Sequence, residues 1–141
     1  MTLLGVNLNK IALLRNSRAT GHPGVVEAAE LSLDTGAGGI TVHPRPDARH
    51  TRASDVYELA SYLRTVPGAE FYIEGNPFPE FLRLVMNVRP TKCTLVPDAV
   101  DAVTSDHGWN LESDGDRLCL IIKALQADAS PVRAGLPRRR A

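Results

Sequence analysis

Nowhere does the sequence run to the roughly 18 consecutive apolar residues that a membrane-spanning helix needs. Its N-terminus lacks a basic stretch followed by an apolar core and a small-residue cleavage site, so no secretory signal is read and a cytoplasmic location is expected. Cysteine is scarce. Cys93 and Cys119 stand alone, with no second cysteine or histidine at metal-finger spacing, and both are expected as reduced thiols in the core. Charge of one sign is missing as well: 16 basic and 16 acidic side chains cancel, and no basic face interleaved with aromatics occurs before residue 130. That excludes a general nucleic-acid binder. No G-x-G-x-x-G or G-x-x-x-x-G-K-[ST] follows the first apolar run, which removes the usual dinucleotide and nucleoside-triphosphate cradles.

What is present is a rhythm. With 141 residues, 43% hydrophobic and 23% charged, the chain fits one globular domain. Short β-rich runs at 3–7, 39–43, 71–74 and 93–97 alternate with stretches of helical spacing. The runs are nearly continuous in hydrophobicity, as buried parallel strands are. Val25 to Leu33 reads as a helix closed by Gly36, and Ser54 to Leu63 as one opened by a serine cap. Glu80 to Val88 and Asp116 to Gln126 supply two more. Four βα units in order indicate an α/β fold with a parallel sheet.

A polar residue stands at or just beyond the end of each run: Asn7, His43, Glu74, then Asp98 and Thr104. In a (β/α)8 barrel all strand ends open on one face, where the active site is assembled from several loops, so the barrel type is favoured over the doubly wound sheet. The run ending at His43 empties into Pro44, Arg45, Pro46, Asp47, Arg49 and His50, a loop stiffened by two prolines. Its arginines suit phosphate or carboxylate, and its imidazoles can move protons near neutral pH. Glu74, closing an apolar run, is expected to be desolvated and more basic than usual. Arg15 reads as a surface residue of the first loop as readily as a ligand. His22 and His107 read as exposed turn residues, and Trp109 as a loop anchor. A metal site from His43, His50 and Glu74 has no helical i,i+4 spacing to support it.

The linked motifs resemble the pyridoxine 5'-phosphate synthase family from about Leu4 to Gln126. They are Gly5-Val6-Asn7 with Leu14-Arg15-Asn16-Ser17-Arg18, Gly39 through Arg45 with Arg49-His50, Ile73-Glu74-Gly75-Asn76, and Leu95-Val96-Pro97 followed by Thr104. The resemblance implies a TIM barrel, a homo-oligomer, and no metal or organic cofactor. It implies condensation of two phosphorylated small molecules, 3-amino-2-oxopropyl phosphate and 1-deoxy-D-xylulose 5-phosphate, with no nucleic-acid or membrane partner. His43 and Glu74 would be proton acceptors. Asn7 and Arg18 would hold the amino-ketone phosphate, and Asn9, Lys10, Arg45, His50 and Thr104 the pentulose phosphate. The family often has Asp-His where this chain has Asn9-Lys10. Its late proton-donating histidine has no counterpart here. Residues 1–129 are therefore expected as the first half of a barrel, about four βα units, and 130–141 as a disordered basic tail without a strand. An apolar inner wall facing water is expected to follow, with a catalytically inactive fragment as the alternative to an active synthase.

Overall fold

In the computed structural model, residues 3–18, 20–100, 102 and 107–127 and the backbone of 133–135 are described. Strands β1 (Gly5–Asn7), β2 (Gly39–Val42), β3 (Glu70–Gly75), β4 (Lys92–Leu95) and β5 (Arg133–Gly135) form one parallel sheet in the order β1-β2-β3-β4-β5. Helices α1 (Asn9–Asn16) and α2 (Val25–Asp34) join β1 to β2. Helices α3 (Ala53–Leu63), α4 (Pro79–Val88) and α5 (Leu111–Ala127) make the next three crossovers. Each strand lies beside its predecessor with no reversal, and crossovers between parallel strands are right-handed. All the connecting helices therefore fall on one face, which is the winding of a barrel and not of a doubly wound sheet.

The strands read almost continuously apolar but are buried on one side only, β3 alternating intermediate and buried from Glu70 to Gly75. Ile40, Val42, Phe71, Ile73, Cys93 and Leu95 point to the helices and are at most 5% exposed. They meet Val56, Leu59, Leu84 and Val85 of α3 and α4 in the core. The opposite, concave face carries Thr41, Glu70, Tyr72, Glu74, Lys92 and Thr94, which line a groove of about 510 Å³. The inner wall is thus polar, against the expectation of apolar side chains facing water. Period-two alternation sorts the strand residues onto two faces, and the polar members all share one of them.

Four further expectations are corrected. Residues 9–16 form α1 and not a loop: Leu8 (2% exposed) and Ala12 (0%) bury the first turns against the core, a spacing of four that the motif reading passed over. Residues 133–135 form a strand paired with β4, Lys92 opposite Arg133 and Thr94 opposite Gly135, where no strand was expected. Backbone pairing along an open strand edge needs no apolar side chain, which is why composition did not show it. The flanking residues 128–132 and 136–141 lie outside the described residues. Helix α3 begins at Ala53 with no serine cap; Asp55, its third residue, accepts the Arg52 N–H at 2.8 Å instead. Cys93 is buried as expected, but Cys119 is exposed on α5.

Gly75 sets how closely α4 approaches. A Cβ built there would run into the ring of Phe81, which is itself only 7% exposed and hemmed in by the core. Gly75→Ala is expected to lower stability by about 1–3 kcal/mol through overpacking, read as a fall in urea midpoint with unchanged slope.

Candidate active site

The sheet register brings the two expected proton acceptors together. Val42 of β2 pairs with Ile73 of β3, so the next residues along each strand, His43 and Glu74, are backbone neighbours at the carboxyl end, with Glu74 lining the concave groove and His43 lining the cavity beside α3 and α4. His43 is 9% exposed. Burial, reinforced by His50 and Arg45 and opposed by Asp98 and Asp47, pushes its imidazole down to about 4. It is neutral at physiological pH and able to accept a proton. Burial also raises Glu74 above the ordinary carboxylate range, with Asp98 adding to the rise and Lys92 opposing it. No ion pair to Glu74 forms among the described residues, so an arginine partner does not hold it ionised.

The loop from His43 to Arg52 is pinned from α1. Asn9 Oδ1 accepts the His43 N–H at 2.8 Å and the Thr51 hydroxyl at 3.1 Å. Thr51 is fully buried, and its own N–H donates to His50 Nδ1 at 2.9 Å. That bond fixes a tautomer. With Nδ1 accepting, neutral His50 carries its proton on Nε2 and presents an N–H donor to a ligand. The His50 ring lies 5.9 Å from that of His43, centroid to centroid. Burial first, then the nearby Arg45, Arg49 and Lys10, lower its pKa, which places exposed Lys10 within electrostatic reach of His50.

Arg45 is buried and already engaged. Its Nη1 donates to Asp98 at 3.2 Å, and its Nη2 lies within 3.1, 3.3 and 2.6 Å of the carbonyls of Ala99, Val100 and Ala102. Its Nε has no hydrogen-bond partner among the described residues and lies 3.9 Å from Asp47. Arg45 therefore secures the loop after β4, a role the reading of arginines as phosphate ligands did not contain. Asn76 reinforces it by donating to the Asp98 carbonyl at 3.0 Å. A cavity of about 460 Å³ opens beside this cluster, lined by His43, Arg45, Asn76, Phe81 and Asp98 among others.

The remaining expected residues are less engaged. Asn7 is exposed and accepts the Asn9 N–H at 2.9 Å. Arg18 is exposed just past α1, with no side-chain hydrogen bond among the described residues. Thr104 lies outside the described residues. Trp109 anchors its loop, donating to the Leu95 carbonyl at 2.9 Å. Among the described residues no cluster of three or more histidine, cysteine, aspartate or glutamate side chains could hold a metal ion, and no helix is long and apolar enough to cross a membrane.

Comparison with known proteins matches residues 4–134 to the family described as pyridoxal phosphate biosynthesis protein PdxJ. The chain belongs to this family. The match runs past α5 into β5, further than the motifs alone reach. Among similar PdxJ proteins is the pyridoxine 5'-phosphate synthase of Porphyromonas gingivalis, 50% identical over 127 residues, covering 90% of this chain and 52% of that protein. The synthase of Xanthomonas campestris pv. campestris is 52% identical over 132 residues, 89% of this chain and 51% of its own. That of Phocaeicola vulgatus is 54% identical over 114 residues, 81% and 46% respectively. The chain spans about half the length of these curated relatives.

The depressed pKa of His43 has a measurable consequence. Between pH 6.5 and about 4 the unfolded chain binds a proton that folded His43 does not, so this contribution to stability is complete above pH 6.5 and is lost as pH falls toward 4. His43→Asn is expected to flatten that part of the pH profile of the urea midpoint. An undiminished slope across this window in the variant would show that His43 is not its source.

Proposed function

We propose that the chain carries one half of a pyridoxine 5'-phosphate synthase site, the half that accepts protons and receives the pentulose. The reaction joins 3-amino-2-oxopropyl phosphate to 1-deoxy-D-xylulose 5-phosphate, giving pyridoxine 5'-phosphate, phosphate and water. The supporting observation is the adjacency of a neutral imidazole and a carboxylate of raised pKa at neighbouring strand ends. Ring closure of this kind needs imine formation and repeated removal of protons from carbons beside carbonyls. Such transfers gain roughly 10²–10⁴-fold from a positioned base, and they call for no metal or organic cofactor.

In this reading His43 and Glu74 take those protons. His50 donates Nε2–H to the pentulose phosphate, with Lys10 adding positive charge, Asn9 ordering the loop and Thr104 contributing its hydroxyl. Arg45 joins by exchanging carbonyl contacts for phosphate oxygens, which guanidinium binds more strongly. Asn7 and Arg18 hold the amino-ketone phosphate. The setting is cytoplasmic, and the open edges of β1 and β5 favour association with further copies, in keeping with the family's homo-oligomers.

A second reading, binding without turnover, is favoured by the chain's spanning half the length of its relatives. Catalytic groups that act as a set lose orders of magnitude when one is missing. The purified chain is expected to bind 1-deoxy-D-xylulose 5-phosphate in a calorimetric titration, and His50→Ala to weaken that binding about ten- to a hundredfold while Arg64→Ala changes it little. Without binding, the proposed site fails. Turnover by the monodisperse chain alone is expected well below about 1 s⁻¹, and product formation at or above that rate would discard the second reading.

A further inference from the structure

The Arg15-Asn16 pair has no assigned part in the chemistry, yet it is tied to the loop that carries His50. Arg15 makes a two-pronged ion pair with Asp55 of α3, Nη1 to Oδ1 at 2.6 Å and Nη2 to Oδ2 at 2.8 Å, with both side chains largely buried at 11% and 5% exposed. Asp55 is itself fixed, because it also accepts the Arg52 N–H at the start of α3. The same guanidinium donates from Nε and Nη2 to Asn16 Oδ1, at 3.2 and 3.1 Å. With its oxygen held there, the Asn16 amide can turn only its nitrogen to the other side. That nitrogen lies 2.7 Å from the His50 carbonyl, 3.2 Å from that of Arg49 and 3.4 Å from that of Ala48. Ala48 adopts φ +50°, a left-handed conformation unfavourable for a residue with a Cβ, so the loop needs outside contacts to keep its shape.

We propose that Asn16 is a positioning residue for His50: oriented by the Arg15–Asp55 pair, its amide gathers three successive loop carbonyls and so fixes the imidazole beside His43. The link to His50 is short. Holding the His50 carbonyl sets the peptide plane between His50 and Thr51, and the N–H of that plane is the one that donates to His50 Nδ1. Asn16 thereby selects the Nε2–H tautomer without touching a ligand. This rests on the proposed function only in naming the pentulose phosphate as the group that Nε2–H meets.

The test is nitrogen-15 NMR of the full chain, comparing the parent with Asn16→Ala and Asn16→Asp. Asn16→Asp keeps an acceptor for Arg15 and replaces the donor to the carbonyls with a charged oxygen that repels them. Both variants are expected to lose the single Nε2–H tautomer of His50 and to speed hydrogen exchange of the Thr51 amide by roughly tenfold or more, while amides of Ile40 and Ile73 keep their protection. Affinity for 1-deoxy-D-xylulose 5-phosphate is expected to fall by about tenfold in parallel, as for the loss of one ordered contact. An unchanged tautomer and Thr51 exchange rate in the variants would overturn the proposal. So would loss of protection spread evenly over the sheet, or unfolding of both variants, which would make Asn16 a general structural residue. Should the parent itself not bind the pentulose phosphate, the functional reading fails, and the tautomer and exchange data still decide the role of Asn16.

Discussion

Pleated alternation in a sheet wound one way governs everything else in this molecule. With strands in sequence order and right-handed crossovers, all helices cover one face, so each strand needs apolar residues only at every second position. The free positions then carry chemistry. Along β3 the helix-facing residues Phe71, Ile73 and Gly75 take up α3 and α4, while Glu70, Tyr72 and Glu74 between them line the concave groove. A register slip of one residue would exchange the two sets and send Glu74 into the core. The same pairing, carried one residue past β2, makes His43 the backbone neighbour of Glu74.

The site uses burial more than ion pairing to prepare its groups. The pKa of His43 is lowered and that of Glu74 raised, so burial favours the neutral form of both. Desolvation leads in both cases, and both then feel the charge of Asp98. Cations are handled differently. Arg15 and Arg45 are committed to carboxylates and carbonyls of their own chain, which satisfies buried guanidinium groups and braces the loops after β2 and β4. Arg18 and Lys10 are exposed and keep their charge available to anions.

Much of this was legible in the sequence because it is written in short-range patterns. The alternating runs gave four strands within a residue or two of their observed ends, and Val25–Asp34 and Pro79–Val88 matched the helical spacing and stop signals. The polar residues ending each run marked the neighbouring strand ends that carry His43 and Glu74. What stayed hidden depended on partners far along the chain. Arg15 read as a surface residue of the first loop as readily as a ligand, because Asp55, 40 positions away, is invisible to local reading. The anchorage of Arg45 stayed hidden because its carbonyl acceptors belong to the loop after β4, more than 50 residues on. Helix α1 was passed over since its buried stripe is narrow, with Ala12 as its one buried residue. β5 was missed because its pairing is a property of the β4 edge and not of its own side chains.

The polar inner wall changes how the concave face meets water. An apolar concave surface would drive collapse or indiscriminate association, whereas Thr41, Tyr72, Lys92 and Thr94 tolerate water, leaving the backbone edges of β1 and β5 as the directional sites for pairing. The same wall ties closure to chemistry. Glu74 is only partly buried in the open groove and already has a raised pKa from desolvation. Anything that covers the groove removes more water from it, and each increment of desolvation raises the basicity of the carboxylate while strengthening its interaction with Lys92 and Asp98. Covering the groove therefore acts on a group already in place, through the same desolvation that raises its pKa in the open sheet.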